Sequence, residues 1–268
     1  MYSTLNLPGL TGVNTQLHNP TLRVLAILHL IDISPEGISL AGISEKLQLP
    51  KGTISPILKT LTATGFISCE NSLYKMDFRS FELGLSYGGS EILDIINEQM
   101  RRIVAEVEEI CQCAVLNGLD ALYILRVNSN NPISIVSSVG KLVPAHITAL
   151  GKVMLSRYDD DWLREAYKDY SFVRLTPKTI TSIEDLLEDI HEIRRTGIGH
   201  DYEESMLGVN CTAVPLCFNG QIEGALSITT PLPRLDEHKK QLIEKELLEK
   251  KQLIEEICKI HGLTLRKH

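Results

Sequence analysis

The stretch Leu47-Gln-Leu-Pro50-Lys-Gly-Thr-Ile-Ser55-Pro-Ile-Leu-Lys-Thr60-Leu-Thr-Ala-Thr-Gly65-Phe-Ile67 decides how the chain is read. Ile54, Ile57, Leu58 and Leu61 recur at helical spacing and give one apolar stripe. Gly65 ends the helix. Just upstream, Ser39 caps a shorter helix. In it Leu40, Ile43 and Leu47 face one way, and Glu45, Lys46 and Gln48 another. Leu49-Pro50-Lys51-Gly52 joins the two. Downstream, Phe66 to Cys69, Glu70 to Ser72 and Leu73 to Met76 read as strand, turn and strand.

Further upstream, Asn19-Pro20 is a helix start with Asn as cap and Pro in the first turn. A stripe of Leu22, Leu25, Ala26, Leu28 and His29 follows, and Pro35-Glu36-Gly37 breaks it. Helix, helix, turn, helix, hairpin is the order of a winged helix-turn-helix. Residues 1–19 read as a flexible arm, 20–80 as the winged unit, 81–90 as a linker with Gly84, Gly88 and Gly89, and 91–268 as a larger domain.

The larger domain opens on a long helix carrying Ile92, Ile95, Ile96, Met100, Ile103, Val104, Val107 and Ile110. Asn117-Gly118 and Asn219-Gly220 each sit between apolar runs, the signature of a tight hairpin. Ile133 to Val139 reads as a further strand. Ala149 to Arg157, Ile183 to Thr196 and Leu235 to His261 read as helices. The class is α+β with an antiparallel sheet.

Composition narrows the function. The 268 residues are 43% hydrophobic and 23% charged, with net charge −7. Residues 1–80 hold six Lys/Arg against five Asp/Glu, so the acidic excess lies beyond them. Contact with phosphate therefore belongs to the first 80 residues. No basic residue precedes Arg23 and no apolar run is long enough for a bilayer, so a cytoplasmic protein without membrane contact is expected. Six scattered cysteines fit free thiols. Cys111-x-Cys113 lacks the usual zinc spacing, and packing at a helix end is expected. Neither a metal nor a cofactor is expected. His146, Asp201 and Cys211 could be drawn together as a nucleophilic set, but no nucleophile-elbow motif accompanies them and no enzyme is expected. Cys211 reads as a pocket wall rather than a redox sensor, and His191, His200 and His261 as solvated.

The segment 47–67 resembles the recognition-helix region of IclR-type transcription regulators, which runs Leu-Pro-Lys-Ser-Thr, Leu-Leu, Leu and Gly-Tyr/Phe. A second run of blocks resembles the family in order and spacing: Val139 to Lys152, Thr176 to Thr179, Ile193 to Gly197, Asp201 to Glu204, Gly208 to Cys211, Ala213 to Pro215 and Ala225 to Thr229. The resemblance implies a winged helix-turn-helix that binds operator DNA. It also implies a GAF-like domain that binds a small effector, an organic acid or related metabolite, and self-association as a homodimer or homotetramer. Lys51, Gly52, Thr53, Ser55 and Lys59 would meet DNA. Ala149, Leu150, Asp201, Cys211, Ser227 and Thr229 would line the effector site, with backbone amides of Ala149-Leu150 and the hydroxyls of Ser227 and Thr229 as donors.

Three positions depart from the family pattern. Pro56 stands where Arg is usual. A helix-interior proline costs roughly 3 kcal/mol and is expected to push Ser55 out of helical geometry. Leu150 is bulkier than the usual Ala, and Thr229 replaces Ser, so a smaller or more apolar pocket is expected. With so small a basic excess, an alternative is a GAF-like sensor whose winged helix serves assembly rather than DNA.

Overall fold

The computed structural model describes residues 17–85, 90–131 and 138–265. The chain divides into two compact units, Met1–Gly88 and Gly89–His268. In the first, α1 (Asn19–Asp32), β1 (Ile38–Ser39), α2 (Leu40–Leu47), α3 (Lys51–Ala63), β2 (Ile67–Glu70), β3 (Leu73–Met76) and α4 (Phe78–Leu85) follow in order. The strands form an antiparallel sheet in the order β1-β3-β2. The core comes from three helical stripes and the first strands: Ala26, Ile27, Leu30 and Ile31; Ile43; Ile54, Leu58 and Leu61; Ile38 and Ile67. Ser39 Oγ accepts from Gly42 N at 3.1 Å, an N-cap interaction of about 1 kcal/mol. Asn71 and Ser72, at φ 51° and 64°, supply the two left-handed residues of a tight hairpin turn.

Four local expectations change. The cap of α1 is His18, without a side-chain cap bond, and Asn19 is already helical. Its buried stripe runs through Leu22, Ala26, Ile27, Leu30 and Ile31, while Leu25 is 48% exposed; the steps of four set the inward face, not the step of three through Leu25. The expected linker is helical as far as Leu85, and residues 86–89 lie outside the described ones. The helix α3 runs without interruption through Pro56, and Ser55 keeps helical backbone. The missing N–H of Pro56 and its ring both concern the carbonyl four residues back. That carbonyl belongs to Gly52, an exposed residue in the first turn, where water can take the place of the missing donor.

In the second unit α5 (Ser90–Val107) leads into β4 (Ile110–Asn117), β5 (Asp120–Val127) and β6 (Leu142–Pro144). A 3-10 turn (Ala145–Ile147) and the helices α6 (Ala149–Leu155), α7 (Asp160–Ala166) and α8 (Ile183–Thr196) follow. The chain closes with β7 (Gly199–Tyr202), β8 (Val209–Phe218), β9 (Gln221–Pro231) and α9 (Glu237–His261). The sheet order is β6-β5-β4-β9-β8-β7, and every pair is antiparallel. Of the strand expected at 133–139, residues 132–137 lie outside the described ones.

Alternation along the strands divides the second unit into two cores. Cys111, Cys113, Val214, Leu226 and Ile228 turn toward α5 and α9. Ala114, Tyr123, Ala213 and Ala225 turn toward α6 and α8. The Cys111/Cys113 pair therefore sits on a central strand rather than at a helix end, and both thiols are fully buried. Gly151 is a packing requirement: a Cβ there would lie 2.1 Å from the Ala145 carbonyl oxygen, so the 3-10 turn can press against α6 only if residue 151 has no side chain. Among the described residues, no helix is long and apolar enough to cross a membrane, and no group of three or more His, Cys, Asp or Glu could hold a metal.

Candidate functional site

The first unit presents α3 on its surface. Ile54, Leu58 and Leu61 hold the helix to the core, which leaves Lys51, Gly52, Pro56 and Lys59 exposed. Thr53 and Ser55 are half-buried on its flanks. Lys51 opens the helix and Lys59 lies two turns on, so both ammonium groups are free to reach outward. All five residues expected to meet DNA are thus on one helix, but the two hydroxyls are less prominent than the lysines.

The second unit contains a cavity of about 150 Å³ on the α6 side of the sheet. Ala149, Leu150, Asp201, Cys211, Ser227 and Thr229 all line it, drawn from α6 and from strands β7, β8 and β9. Register explains the convergence: Asp201 pairs with Cys211, and Cys211 with Thr229. Thr148 caps α6 by accepting from Gly151 N at 3.0 Å. The first backbone bond of that helix runs from Lys152 N to Thr148 O at 3.0 Å.

The polar groups fall into two classes. Thr229 Oγ1 donates to Gln112 Oε1 at 3.1 Å, and Cys211 Sγ lies 3.4 Å from the same hydroxyl. With the threonine proton committed, the thiol is the donor in that second contact. Thr229 therefore does not hold the free donor expected of it. Asp201 is also engaged. Its Oδ1 accepts from Glu204 N at 2.7 Å and its Oδ2 from Ser205 Oγ at 2.5 Å, so it shapes the loop after β7. Burial lifts its carboxyl above the usual range, against the pull of those donors. Ser227 stands apart: it is 1% exposed and its Oγ has no partner among the described residues.

Burial pushes the Cys211 thiol and the Tyr123 hydroxyl well above their ordinary values, so both stay protonated. His146 lies outside the cavity lining, boxed by Tyr170 and Phe172 with ring centroids 5.2 and 5.0 Å away. Neither of its ring nitrogens has a partner among the described residues, so it does not complete a set with Asp201 and Cys211 there. Burial, helped by the charge on Lys152, depresses it to about 4. His200 is half-buried and stacked on Tyr202, and His191 bonds Asp160 at 2.6 Å, so neither is merely solvated.

The sequence reading missed Gln112, Tyr123, Lys141 and Ser205 in the lining. Strand alternation could have found the first, because Gln112 sits between two inward cysteines and must face the other way. It also missed Lys152, which is fully buried and bonded to Glu204 at 2.7 Å and Asp189 at 2.5 Å. Burial alone would favour the neutral amine, but the two carboxylates outweigh it and hold its pKa above the usual ammonium value. Burial likewise pushes Glu204 up to about 7, against the attraction of Lys152.

The two units match known families over most of their length. Residues 20–68 match the IclR helix-turn-helix domain, and residues 86–256 match the bacterial transcriptional regulator IclR C-terminal domain. The chain is 31% identical over 225 residues to the HTH-type transcriptional regulator KdgR of Dickeya chrysanthemi, covering 82% of this chain and 73% of the relative. It is 28% identical over 219 residues to the HTH-type transcriptional regulator XynR of Escherichia coli, covering 80% and 87%. An IclR transcriptional regulator from Alicyclobacillus acidocaldarius shares the fold with TM-score 0.81 at 20% identity, covering 90% of this chain and 99% of that one. An IclR homolog from Microbacterium hydrocarbonoxydans, complexed with 4-hydroxybenzoate, does so with TM-score 0.76 at 20% identity, covering 88% and 98%. With a winged helix-turn-helix, a second domain with a small cavity against an antiparallel sheet, and both family domains matched in order, the chain belongs to the IclR family of DNA-binding transcriptional regulators.

Proposed function

We propose that the cavity of the second unit binds a small oxygen-bearing organic acid, and that occupancy changes the affinity of α3 for operator DNA. The observation that carries this reading is Ser227 Oγ, a buried hydroxyl that has no partner among the described residues and lines the cavity. An unmade hydrogen bond in a dry site costs about 1–3 kcal/mol, and a ligand oxygen would recover it. Among the described residues Lys141 is the one lysine or arginine in the lining, and it supplies the charge an acid needs. Val143, Ile147, Leu150 and Val209 supply an apolar wall for a carbon skeleton. The 4-hydroxybenzoate in the Microbacterium homolog is a ligand of this chemical kind.

A protonated Cys211 and an isolated His146 support a binding site rather than a catalytic one. Lys51 and Lys59 would neutralise phosphate, with Thr53 and Ser55 beside them. A homodimer or homotetramer would place two such helices on a near-palindromic operator. In a cytoplasmic regulator of this kind, ligand and DNA each change the other's affinity by the same factor.

Calorimetry of the full chain with 4-hydroxybenzoate and a panel of short hydroxy and keto acids tests the cavity. A binding acid should lose about 1–3 kcal/mol of affinity in Ser227→Ala, the cost of one missing donor. An acid that binds both forms equally tightly overturns the placement.

A further inference from the structure

At 100° per residue, the face of α3 opposite Ile54, Leu58 and Leu61 is centred on Gly52, Pro56, Lys59 and Ala63. All four are exposed. Thr53 and Ser55 lie about a quarter-turn away from that centre on either side and are half-buried. The first two turns of the helix therefore point carbon, not hydrogen-bond donors, straight outward. Over Gly52 the space is open, with no atom within 4 Å of a notional Cβ. One turn beyond Pro56, Thr60 Oγ1 donates to the Pro56 carbonyl at 3.0 Å. Its hydroxyl proton is spent on the helix, which leaves its methyl as the group it can present.

In the major groove, the base feature that matches apolar carbon is the C5-methyl of thymine. Guanine and cytosine lack that methyl and carry polar groups there, and a proline ring beside them would leave those groups without partners. We propose that Pro56 is a specificity-determining residue. Its ring packs on a thymine methyl, the methyl of Thr60 supports the contact, and the operator half-site carries thymine at the steps facing the second turn of α3. Lys51 and Lys59 flank this contact and hold the register on phosphate. The inference rests on DNA docking by α3 and is independent of the effector cavity.

The test uses the full-length protein. Operator sequences are selected from randomised duplex DNA, and each thymine of the enriched half-site is then replaced singly by deoxyuridine. That exchange removes one methyl and leaves every hydrogen bond in place. At one or two positions wild-type affinity should fall about fourfold, the effect of one buried carbon group. Pro56→Ser, a replacement without the ring, should bind the thymine and uracil duplexes equally at the step facing residue 56. Thr60→Ser keeps the bond to the Pro56 carbonyl and removes one methyl, so it provides a second, milder variant that should lose part of the sensitivity. Circular dichroism checks that both variants are folded. An enriched half-site without thymine at those steps overturns the proposal. So does a deoxyuridine penalty that persists unchanged in both variants. Failure to enrich any sequence would overturn it together with docking by α3, whereas a selected but methyl-insensitive half-site leaves docking intact and removes the role of Pro56 alone.

Discussion

The two units place their functional groups on opposite sides of the solvent boundary. In the first, Lys51, Pro56 and Lys59 stand outside the core, and packing is done by Ile54, Leu58 and Leu61 on the reverse of the same helix. In the second, the groups that face the cavity belong to strands whose neighbouring residues are the core, and most are themselves buried. A surface reader can change its contacts without touching stability. A cavity has less freedom, because most of its wall residues are also packed into the core.

The sharpest test of that contrast is Gly151→Ala. Its Cβ would stand 2.1 Å from the Ala145 carbonyl, against backbone that cannot swing away. We expect a loss of about 3 kcal/mol or more, at the upper end of overpacking, read as a lower unfolding midpoint of the second unit. An unchanged midpoint would mean that the cavity wall is far more pliant than its packing implies.

The next test is a pair of substitutions that pull apart in acid. His146 has a depressed folded-state pKa, about 4 against an ordinary 6.5, so its stability contribution is present above 6.5 and lost as pH falls toward 4. Glu204 has a raised one, about 7 against 4.5, so its contribution is present below 4.5 and lost as pH rises through 7. Between pH 4.5 and 6.5 the two slopes oppose each other. Relative to wild type, His146→Phe should gain stability as pH falls through this window. Glu204→Gln should lose it, each by on the order of 1–3 kcal/mol. Urea unfolding at several pH values reads both, and parallel slopes in both variants would refute the assignment.

Smaller still is the effect of Ser227→Ala on the free protein. Removing a buried hydroxyl that lacks a partner should leave stability unchanged or raise it by up to about 1 kcal/mol. A clear loss in thermal melting would mean that the hydroxyl is already satisfied without a ligand. The smallest stability change belongs to the first unit: Lys51→Ala should move the midpoint by no more than about 0.5 kcal/mol. It should reduce the salt slope of DNA binding by about one phosphate contact. If stability falls while the salt slope holds, Lys51 is a packing residue and the contrast between the units is wrong there.

Much of this was legible in the chain. Periodicity located α3 and α8, and Asn219-Gly220 marked its hairpin turn. In the other hairpin the turn is shifted by one, because Asn117 is still paired with Asp120 and Gly118 carries the left-handed φ of 62°. The six positions expected to meet the effector came from family resemblance, and the sheet register together with the start of α6 brings them to one cavity. What could not be read was which donors are already in use. The bond from Thr229 to Gln112 joins residues 117 apart, and the Lys152–Glu204 pair spans 52, and no local pattern encodes either. Pro56 misled in the other direction, since its local rule predicts a disruption and the helix runs through it unbroken.

The loop after β7 has a further consequence for how such a protein could diversify. Ser205 and Met206 form part of the cavity wall. The bend that carries them is framed by local bonds, Asp201 to Glu204 and Ser205 and Glu203 to Gly208. It is tied down by Thr176 and Thr179 on the Glu203 and Glu204 carbonyls and by Lys152 on the Glu204 carboxylate. It behaves as a cassette. Met206 and Leu207 could be exchanged while Asp201, Glu203, Ser205 and Gly208 keep the frame and the sheet behind it stays unaltered. New ligand preferences could then arise through a handful of codons, without redesign of the domain that must remain folded throughout.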